Sequence, residues 1–368
     1  MSLLIYYNPF LTGQLLLYWL HDFLDINILG YITIRAGFSF FIALFLTLFL
    51  MPLFIKWAQR TSRVQPINEW APDRHKEKVS TPTMGGIVFI GSTLIASLFT
   101  VKLDNPYAIA GLMTIVLFSL IGFQDDYAKI KKSENLAGLK ARTKLLLQII
   151  SSLIVASFIL FYANFNTELY VPFLKSPVLE MGMFALILWV LVIVSTSNAV
   201  NLTDGLDGLA TVPSIVALTT FSIIIYITGH AKISAYLLMP NFNVGEVAII
   251  ASALMGALSG FLWYNCHPAE VFMGDSGSLT IGAFLGYLSI ITKSEILLLL
   301  IGSIFVIETL SVILQVGSYK LRKKRVFLMA PIHHHFEMKN WAENKIIVRF
   351  WIIAVLSNLL ALISLKIR

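Results

Sequence analysis

The chain is short of charge and nearly empty of cysteine. Charged residues make up 13% of its 368 residues and hydrophobic ones 57%, where a soluble domain carries roughly a quarter charged. So little charge cannot clothe a water-exposed surface, and the mean hydropathy of +0.81 places the chain in a lipid bilayer. The single cysteine, Cys266, excludes an intramolecular disulfide and leaves the redox compartment unread. No soluble module with interleaved basic and aromatic residues is present, so the formal charge of +7 does not indicate nucleic-acid binding. It reads as membrane topology and attraction to anionic headgroups. A cleaved signal peptide is also missing from the pattern. Residues 1–28 are apolar only in patches, no basic stretch precedes them, and Asn8, Pro9, Asp22 and Asp25 interrupt them, which predicts an interfacial N-terminal segment.

What is present is a series of apolar runs from one end to the other. A helix needs about 20 residues to cross hydrocarbon about 30 Å thick. Runs of suitable length lie near 31–55, 83–101, 107–124, 145–163, 181–200, 209–228, 247–265, 277–292, 295–317 and 347–366. The predicted architecture is an all-α polytopic membrane protein, residues 1–368 forming one integral-membrane domain of about ten transmembrane helices. The basic residues orient it. Lys56, Arg60, Arg63, Arg74, Lys76 and Lys78 follow the first span, and Lys129, Lys131, Lys132, Lys140, Arg142 and Lys144 follow the third. Lys320, Arg322, Lys323, Lys324, Arg325, Lys339, Lys345 and Arg349 follow the ninth. Most of the 27 basic residues therefore share one side, which the positive-inside rule makes cytoplasmic, with both termini periplasmic.

Acidic residues collect at the ends of spans on that same side. Asp125 and Asp126 end span three, Asp204 and Asp207 follow span five, and Asp275 precedes span eight. Ionisable groups at a membrane edge are costly and point to function, so these five are expected to share one site. Carboxylates without thiolates suit a hard cation, and Mg²⁺ takes one or two of them together with substrate phosphates. Asp275, set between Gly274 and Ser276-Gly277 at a helix start, is the first candidate ligand, although an aspartate there also fits an ordinary cap. Asp125 and Asp126 point about 100° apart on a helix, so one is expected to work and the other to support it. Their proximity would raise the pKa of one.

Asn198, Asn201 and Asp204 recur every three residues, with Asp207 next in the series, and this face could read a uracil and ribose. The alternative is a helix end turning at Gly205 and Gly208 with local caps. Asn265, at the matching end of span seven, carries the same two readings. Residues 78–86, Lys-Val-Ser-Thr-Pro-Thr-Met-Gly-Gly, open span two with a helix start whose free N–H groups would hold an anion. His333, His334 and His335 diverge too far to share a zinc ion from a regular helix and fit phosphate or sugar hydrogen bonding better. Lys129 and Lys144 would offset the charge of two phosphorylated substrates, or snorkel. Glu308 and Gln315 either extend a polar groove or satisfy a neighbouring helix.

Five segments in order carry a resemblance. They are Thr81-Pro-Thr-Met-Gly-Gly86, Asp125-Asp126-Tyr127, Asn198 to Gly208, Asn265-Cys-His-Pro-Ala-Glu-Val-Phe-Met-Gly-Asp275 and Pro331-Ile-His-His-His-Phe-Glu337. Over nearly its whole length the chain resembles the phospho-N-acetylmuramoyl-pentapeptide transferase family, within the polyprenyl-phosphate N-acetylhexosamine-1-phosphate transferases. The resemblance implies a ten-helix fold, usually homodimeric, in the bacterial inner membrane with its site facing the cytoplasm. It implies conversion of UDP-N-acetylmuramoyl-pentapeptide and undecaprenyl phosphate into lipid I and UMP, with Mg²⁺ as cofactor. The family's functional positions fall on Lys78, Thr83, Asp125, Asp126, Lys129, Lys144, Asn198, Asn201, Asp204, Asn265, Asp275 and His333 to His335. Asp207 and Phe272 are further transfers, Phe272 as a nucleobase stacker. Ser80 stands where Gly is expected and Ser276 where Thr often follows the metal-site aspartate.

Catalysis of this type consists mostly of positioning and charge neutralisation. Asp125 would deprotonate or orient the lipid phosphate, with a phospho-aspartate route as the alternative. A sister transferase for UDP-N-acetylglucosamine would share the aspartates and differ around His333 to His335. A proton-coupled transporter would place its acids near the midplane within inverted repeats, whereas here they lie at one face and no repeat is evident.

Overall fold

The computed structural model describes residues 27–60, 81–132 and 138–367. Lys78, Ser80 and all but the end of the N-terminal segment lie outside the described residues. Helices dominate. In chain order they are α1 (Ile32–Arg60), α2 (Gly86–Thr100), α3 (Pro106–Lys132), α4 (Ala141–Ser157), α5 (Ala185–Thr203), α6 (Thr211–Thr228) and α7 (Ala231–Tyr236). Then follow α8 (Val247–Asn265), α9 (Asp275–Ile291), α10 (Leu298–Ile301), α11 (Ser303–Arg322), α12 (Ile332–Met338) and α13 (Glu343–Ser364). A π turn, Phe158–Tyr162, extends α4. Among the described residues the fold departs from helix once, in a two-residue antiparallel ribbon that pairs β1 (Glu168–Leu169) with β2 (Leu179–Glu180) between α4 and α5.

Eight helices among the described residues are long and apolar enough to cross a membrane. The protein is a multi-pass membrane protein. Helices α2 and α9 are shorter, at 15 and 17 residues, which at 1.5 Å per residue span roughly 22 and 26 Å. Their neighbours account for this. Helix α9 is buried from Ser276 to Ile291, packed by α3 and α5 on its flanks and touched by α2 and α6, so protein rather than lipid surrounds it. Helix α8 packs against α1, α2 and α6. These two inner helices form the core, and the exposed aromatic and aliphatic side chains of α1, such as Phe41, Phe45 and Phe49, face outward.

The close approach of α3 to α9 depends on Gly122. A Cβ there would run into the backbone carbonyl of Asp275 and the Cα of Ser276, so α3 lies directly against the first turn of α9. This contact brings the Asp125-Asp126 pair to Asp275.

At the opposite end of the bundle a buried ion pair ties three helices. The Arg35 guanidinium donates to both Glu246 oxygens at 2.6 and 2.7 Å and to the Thr100 carbonyl at 3.0 Å, and the Lys102 N–H donates to Glu246. Removing one partner strands the other charge. Arg35→Met or Glu246→Leu alone is expected to cost about 3–5 kcal/mol, and the double replacement much less than the sum, measured as a double-mutant cycle of thermal unfolding in one detergent. Additive losses would contradict the pairing. The same end holds Lys293, buried at 1% exposure, its ammonium 4.4 Å from the Phe165 ring centroid and donating to the Asn166 carbonyl. This contact fastens the ribbon-bearing segment to the end of α9.

Candidate active site

The C-terminal part of α3, the start of α4, the end of α5 and the start of α9 meet at one end of the bundle. Carboxylate oxygens of Asp125, Asp126 and Asp275 come within 4.8 Å of one another. Two lysines bridge the outer pair. Lys129 Nζ lies 2.7 Å from Asp125 Oδ2 and 2.8 Å from Asp275 Oδ2, and Lys144 Nζ lies 2.7 Å from Asp275 Oδ2 and 3.4 Å from Asp125 Oδ2. Asp125 Oδ1 accepts from the Leu139 N–H at 2.7 Å. Asn201 donates to Asp275 Oδ1 at 2.7 Å and to Ser278 Oγ at 2.8 Å. Three carboxylates and two ammonium groups thus share one small volume, with Asp275 as its hub.

Asp126 does something different from Asp125. Its two oxygens accept the backbone N–H groups of Asp275 at 3.0 Å and Ser276 at 2.9 Å, so it caps α9 from another helix. Gly274 makes the cap possible. Its φ of +75° lies in the left-handed region, and a Cβ would meet Asp126 Oδ2 at 2.7 Å. The expected division of labour within the pair therefore has a geometric basis: Asp125 faces the lysines and Asp126 holds the backbone that carries Asp275.

At neither helix start beside the site are the backbone donors free, which corrects the anion site expected at the start of α2. The start of α9 does not leave its N–H groups for a diphosphate, because Asp126 takes the first two and Gly274 accepts those of Gly277 and Ser278. The start of α2 does not form an open anion site either. Gly85 N–H donates to the Phe272 carbonyl and Gly86 N–H to that of Met273, at 2.9 and 2.8 Å. Both helix starts are buried among neighbours, and buried donors must find partners inside the protein.

The remaining candidates spread around this centre. Thr83 is buried in the segment whose Pro82 carbonyl accepts the Phe272 N–H at 2.9 Å, and Phe272 itself is partly buried. Asn198 sits deeper in the bundle and donates to Gln148 of α4 at 2.7 Å. Asn265 is fully engaged as a clip: its oxygen accepts from Gly208 N–H and Thr211 Oγ1, and its amide donates to the Val271 carbonyl. Helix α5 ends at Thr203, so Asp204 and Asp207 lie on a turn. Asp207 is buried, within reach of His267 Nδ1 at 3.0 Å, and accepts the Ala269 N–H. The three histidines diverge as their helical directions require. His333 Nδ1 faces Glu308 at 3.1 Å and His334 Nδ1 faces Glu337 at 2.6 Å, while His335 Nδ1 accepts the Leu328 N–H. Burial and the nearby Lys339 charge lower the His335 pKa, in keeping with a ring nitrogen that accepts.

Gln148, Ser278 and the Leu139 N–H were not legible as site neighbours, because a lone Gln on an apolar helix and a Ser after a glycine carry no spacing signal. Gln315, read two ways from sequence, accepts the N–H groups of Val326 and Phe327 and donates to the Phe327 carbonyl, so it clips a loop.

Asp204 stands out electrostatically. Its pKa is pushed up to about 8, first by burial and then by the charges of Asp275, Asp126 and Asp207. A carboxyl whose folded pKa exceeds its unfolded value lends stability below about pH 4, and that contribution is lost as pH rises through about 8. Asp204→Asn is therefore expected to raise the melting temperature of the substrate-free protein at pH 8.5 and to leave it nearly unchanged at pH 4. Equal shifts at both pH values would contradict this.

Comparison with known proteins gives the family. The glycosyl transferase family 4 profile matches residues 108–293. A phospho-N-acetylmuramoyl-pentapeptide-transferase of Sulfurimonas denitrificans is 75% identical over 96% of this chain and 100% of its own length. The chain belongs to the phospho-N-acetylmuramoyl-pentapeptide-transferase family. Members from Nitratiruptor sp. and Campylobacter jejuni are 65% and 59% identical, each over 96% of this chain and 100% of theirs. The profile runs from α3 to α9 and so takes in α3, α4, α5 and α9, the helices that carry Asp125, Asp126, Lys129, Lys144, Asn201 and Asp275. For a family member, the chemistry of these donors fits a divalent hard cation. Carboxylate oxygens of three aspartates converge without a thiolate, and two of the three, Asp125 and Asp275, each direct one oxygen at the lysine ammonium groups.

Proposed function

We propose that the chain transfers phospho-N-acetylmuramoyl-pentapeptide from UDP-N-acetylmuramoyl-pentapeptide to undecaprenyl phosphate, giving lipid I and UMP. The observation that carries this reading is the convergence of Lys129 and Lys144 on Asp125 and Asp275 at one end of an apolar bundle. A lipid phosphate and a nucleotide diphosphate can meet only at such an edge, and they need positive charge placed there in advance.

In the proposed reaction an oxygen of the lipid phosphate attacks the sugar-linked phosphorus. The bond from that phosphorus to the bridging oxygen breaks, and UMP leaves with the oxygen. One phosphoanhydride replaces another, so the reaction is nearly balanced, and catalysis rests on alignment and charge neutralisation. Asp125 takes the proton of the lipid phosphate or orients it. Lys129 and Lys144 exchange their carboxylate partners for substrate phosphate oxygens. Asp275 would hold Mg²⁺, which when bound would offset charge on the diphosphate and the departing UMP. Asn201 keeps Asp275 turned inward, and Asp126 fixes its backbone. Asp204, Asp207 and Phe272 are assigned to the nucleotide, with Thr83 and Asn265 bracing the surrounding loops, Asn198 tying α5 to α4, and His334 and His335 toward the sugar-peptide. Lys78 is assigned to the substrate from the family resemblance alone.

The reading extends to topology. Helices α2 and α9 complete ten spans, the basic loops put the site on the cytoplasmic side of the inner membrane, and the family resemblance supports a homodimer. The test is UMP release by the purified protein with undecaprenyl phosphate and Mg²⁺, comparing UDP-N-acetylmuramoyl-pentapeptide with UDP-N-acetylglucosamine. Release with the former only, abolished by EDTA and restored by Mg²⁺, is expected. Release with the latter only would move the chain to the sister activity.

A further inference from the structure

Glu308 lies on α11 with no exposed surface, and His333 on α12 is 1% exposed. His333 Nδ1 is 3.1 Å from Glu308 Oε1. Among the described residues neither Glu308 oxygen nor either His333 ring nitrogen makes a hydrogen bond of good geometry, so the 3.1 Å approach pairs two buried groups without another polar partner. A buried carboxylate without a donor is costly, and the imidazole nitrogen at 3.1 Å is the group placed to supply one. The other edge of the imidazole abuts Gly205, where a Cβ would collide with His333 Nε2. Gly205 directly follows Asp204 on the turn that leaves α5.

That turn is roofed by α11, α12 and α13. Leu206 and Leu209 join Ile304, Ile346, Ile347 and Phe350 in a separate small apolar cluster, and Trp351 Nε1 donates to the Gly208 carbonyl at 3.1 Å. Apolar contacts fix the height of the roof but not its register. At the Asp204 end the roof meets the turn through the Glu308–His333–Gly205 stack.

We infer that Glu308 is a positioning residue that acts through His333. It fixes the Nδ1-protonated orientation of the imidazole, and the ring's far edge sets the backbone of the Asp204–Gly208 turn against the nucleotide. His333 accordingly serves the protein rather than the substrate. This deepens the proposed function and rests on it for its kinetic arm only.

Two measurements on the full-length protein test it. In ¹⁵N-histidine-labelled protein, the His333 ring, assigned by its loss in His333→Gln, is expected to show a protonated Nδ1 in wild type and Glu308→Gln, whose amide oxygen still accepts, and to lose it in Glu308→Leu. In kinetics, Glu308→Leu is expected to raise the KM for the UDP-sugar about tenfold or more, as a displaced site backbone does. The KM for polyprenyl phosphate should change less than about twofold, and Glu308→Gln should restore the wild-type value within about threefold. A merely structural role would lower the melting temperature and the active fraction while leaving both KM values alone. Gly205→Ala, which pushes on the ring from the other side, is expected to reproduce the selective KM rise if Glu308→Leu does not fold. An unchanged KM in a folded variant, equal rises in both KM values, or a ring signal indifferent to Glu308→Leu would overturn the inference. Should the wild type turn over no UDP-sugar, the proposed function fails, and the ring signal alone decides for or against the pair.

Discussion

Asp275→Asn is expected to lower turnover by about 10³-fold while leaving the melting temperature within a few degrees of wild type. The carboxylate is the hub of the site: one oxygen holds both lysines and the other takes the Asn201 amide. An asparagine keeps the shape and can still accept one lysine, but it withdraws the negative charge that both ammonium groups share and that a divalent cation would use. Folding should survive, because Lys129 retains Asp125 at 2.7 Å and the Asp126 cap on α9 is untouched. The check is UMP release and thermal unfolding of the same detergent preparation. Turnover within tenfold of wild type would contradict the role.

Asp126→Ala should instead lose activity and stability together. It strips the acceptors from two buried N–H groups at the first turn of α9, and each unsatisfied donor costs about 1–3 kcal/mol. Helix α9 is the buried centre of the bundle, so its frayed start would also release Asp275 from the lysines. Asp126→Asn should fall between, because one amide oxygen can serve one N–H while the amide hydrogens oppose the other. Thermal unfolding separates the two aspartates: a melting temperature that falls for Asp126→Ala and holds for Asp275→Asn is expected. The reverse order would overturn the division between a capping carboxylate and a reacting one.

The spans were legible in the sequence because hydropathy over about 20 residues is a long, redundant signal. The run near 277–292 became α9, Asp275–Ile291, and the run near 107–124 continued to Lys132, since a helix can extend into its polar flank. The run near 295–317 is broken at Gly302 into α10 and α11, a local event that averaged hydropathy does not register. The β1–β2 ribbon was not legible for a similar reason: two residues per strand carry no periodicity.

The site was legible as a set of aspartates at one edge, because charge near lipid is conspicuous. Its partners were not. That Asp125 and Asp126 diverge follows from helix geometry, but which of them meets α9 depends on the rotation of α3, set by Gly122 against the Asp275 carbonyl. The anion site expected at the start of α2 failed because a sequence shows that donors exist and not that the Phe272 and Met273 carbonyls reach them first. Asn265 likewise matched a substrate-facing pattern, and the structure uses all its polar atoms in clipping Gly208, Thr211 and Val271.

The most direct measurement follows the sugar-linked phosphate itself. UDP-N-acetylmuramoyl-pentapeptide labelled with ³²P at the phosphorus next to the sugar is incubated with undecaprenyl phosphate, Mg²⁺ and the purified protein. Phospho-sugar transfer predicts that the label passes into the solvent-extractable lipid while unlabelled UMP accumulates in equal amount. Label that stays in the aqueous phase as UDP, with sugar alone reaching the lipid, or no labelled lipid from folded protein, would contradict the account.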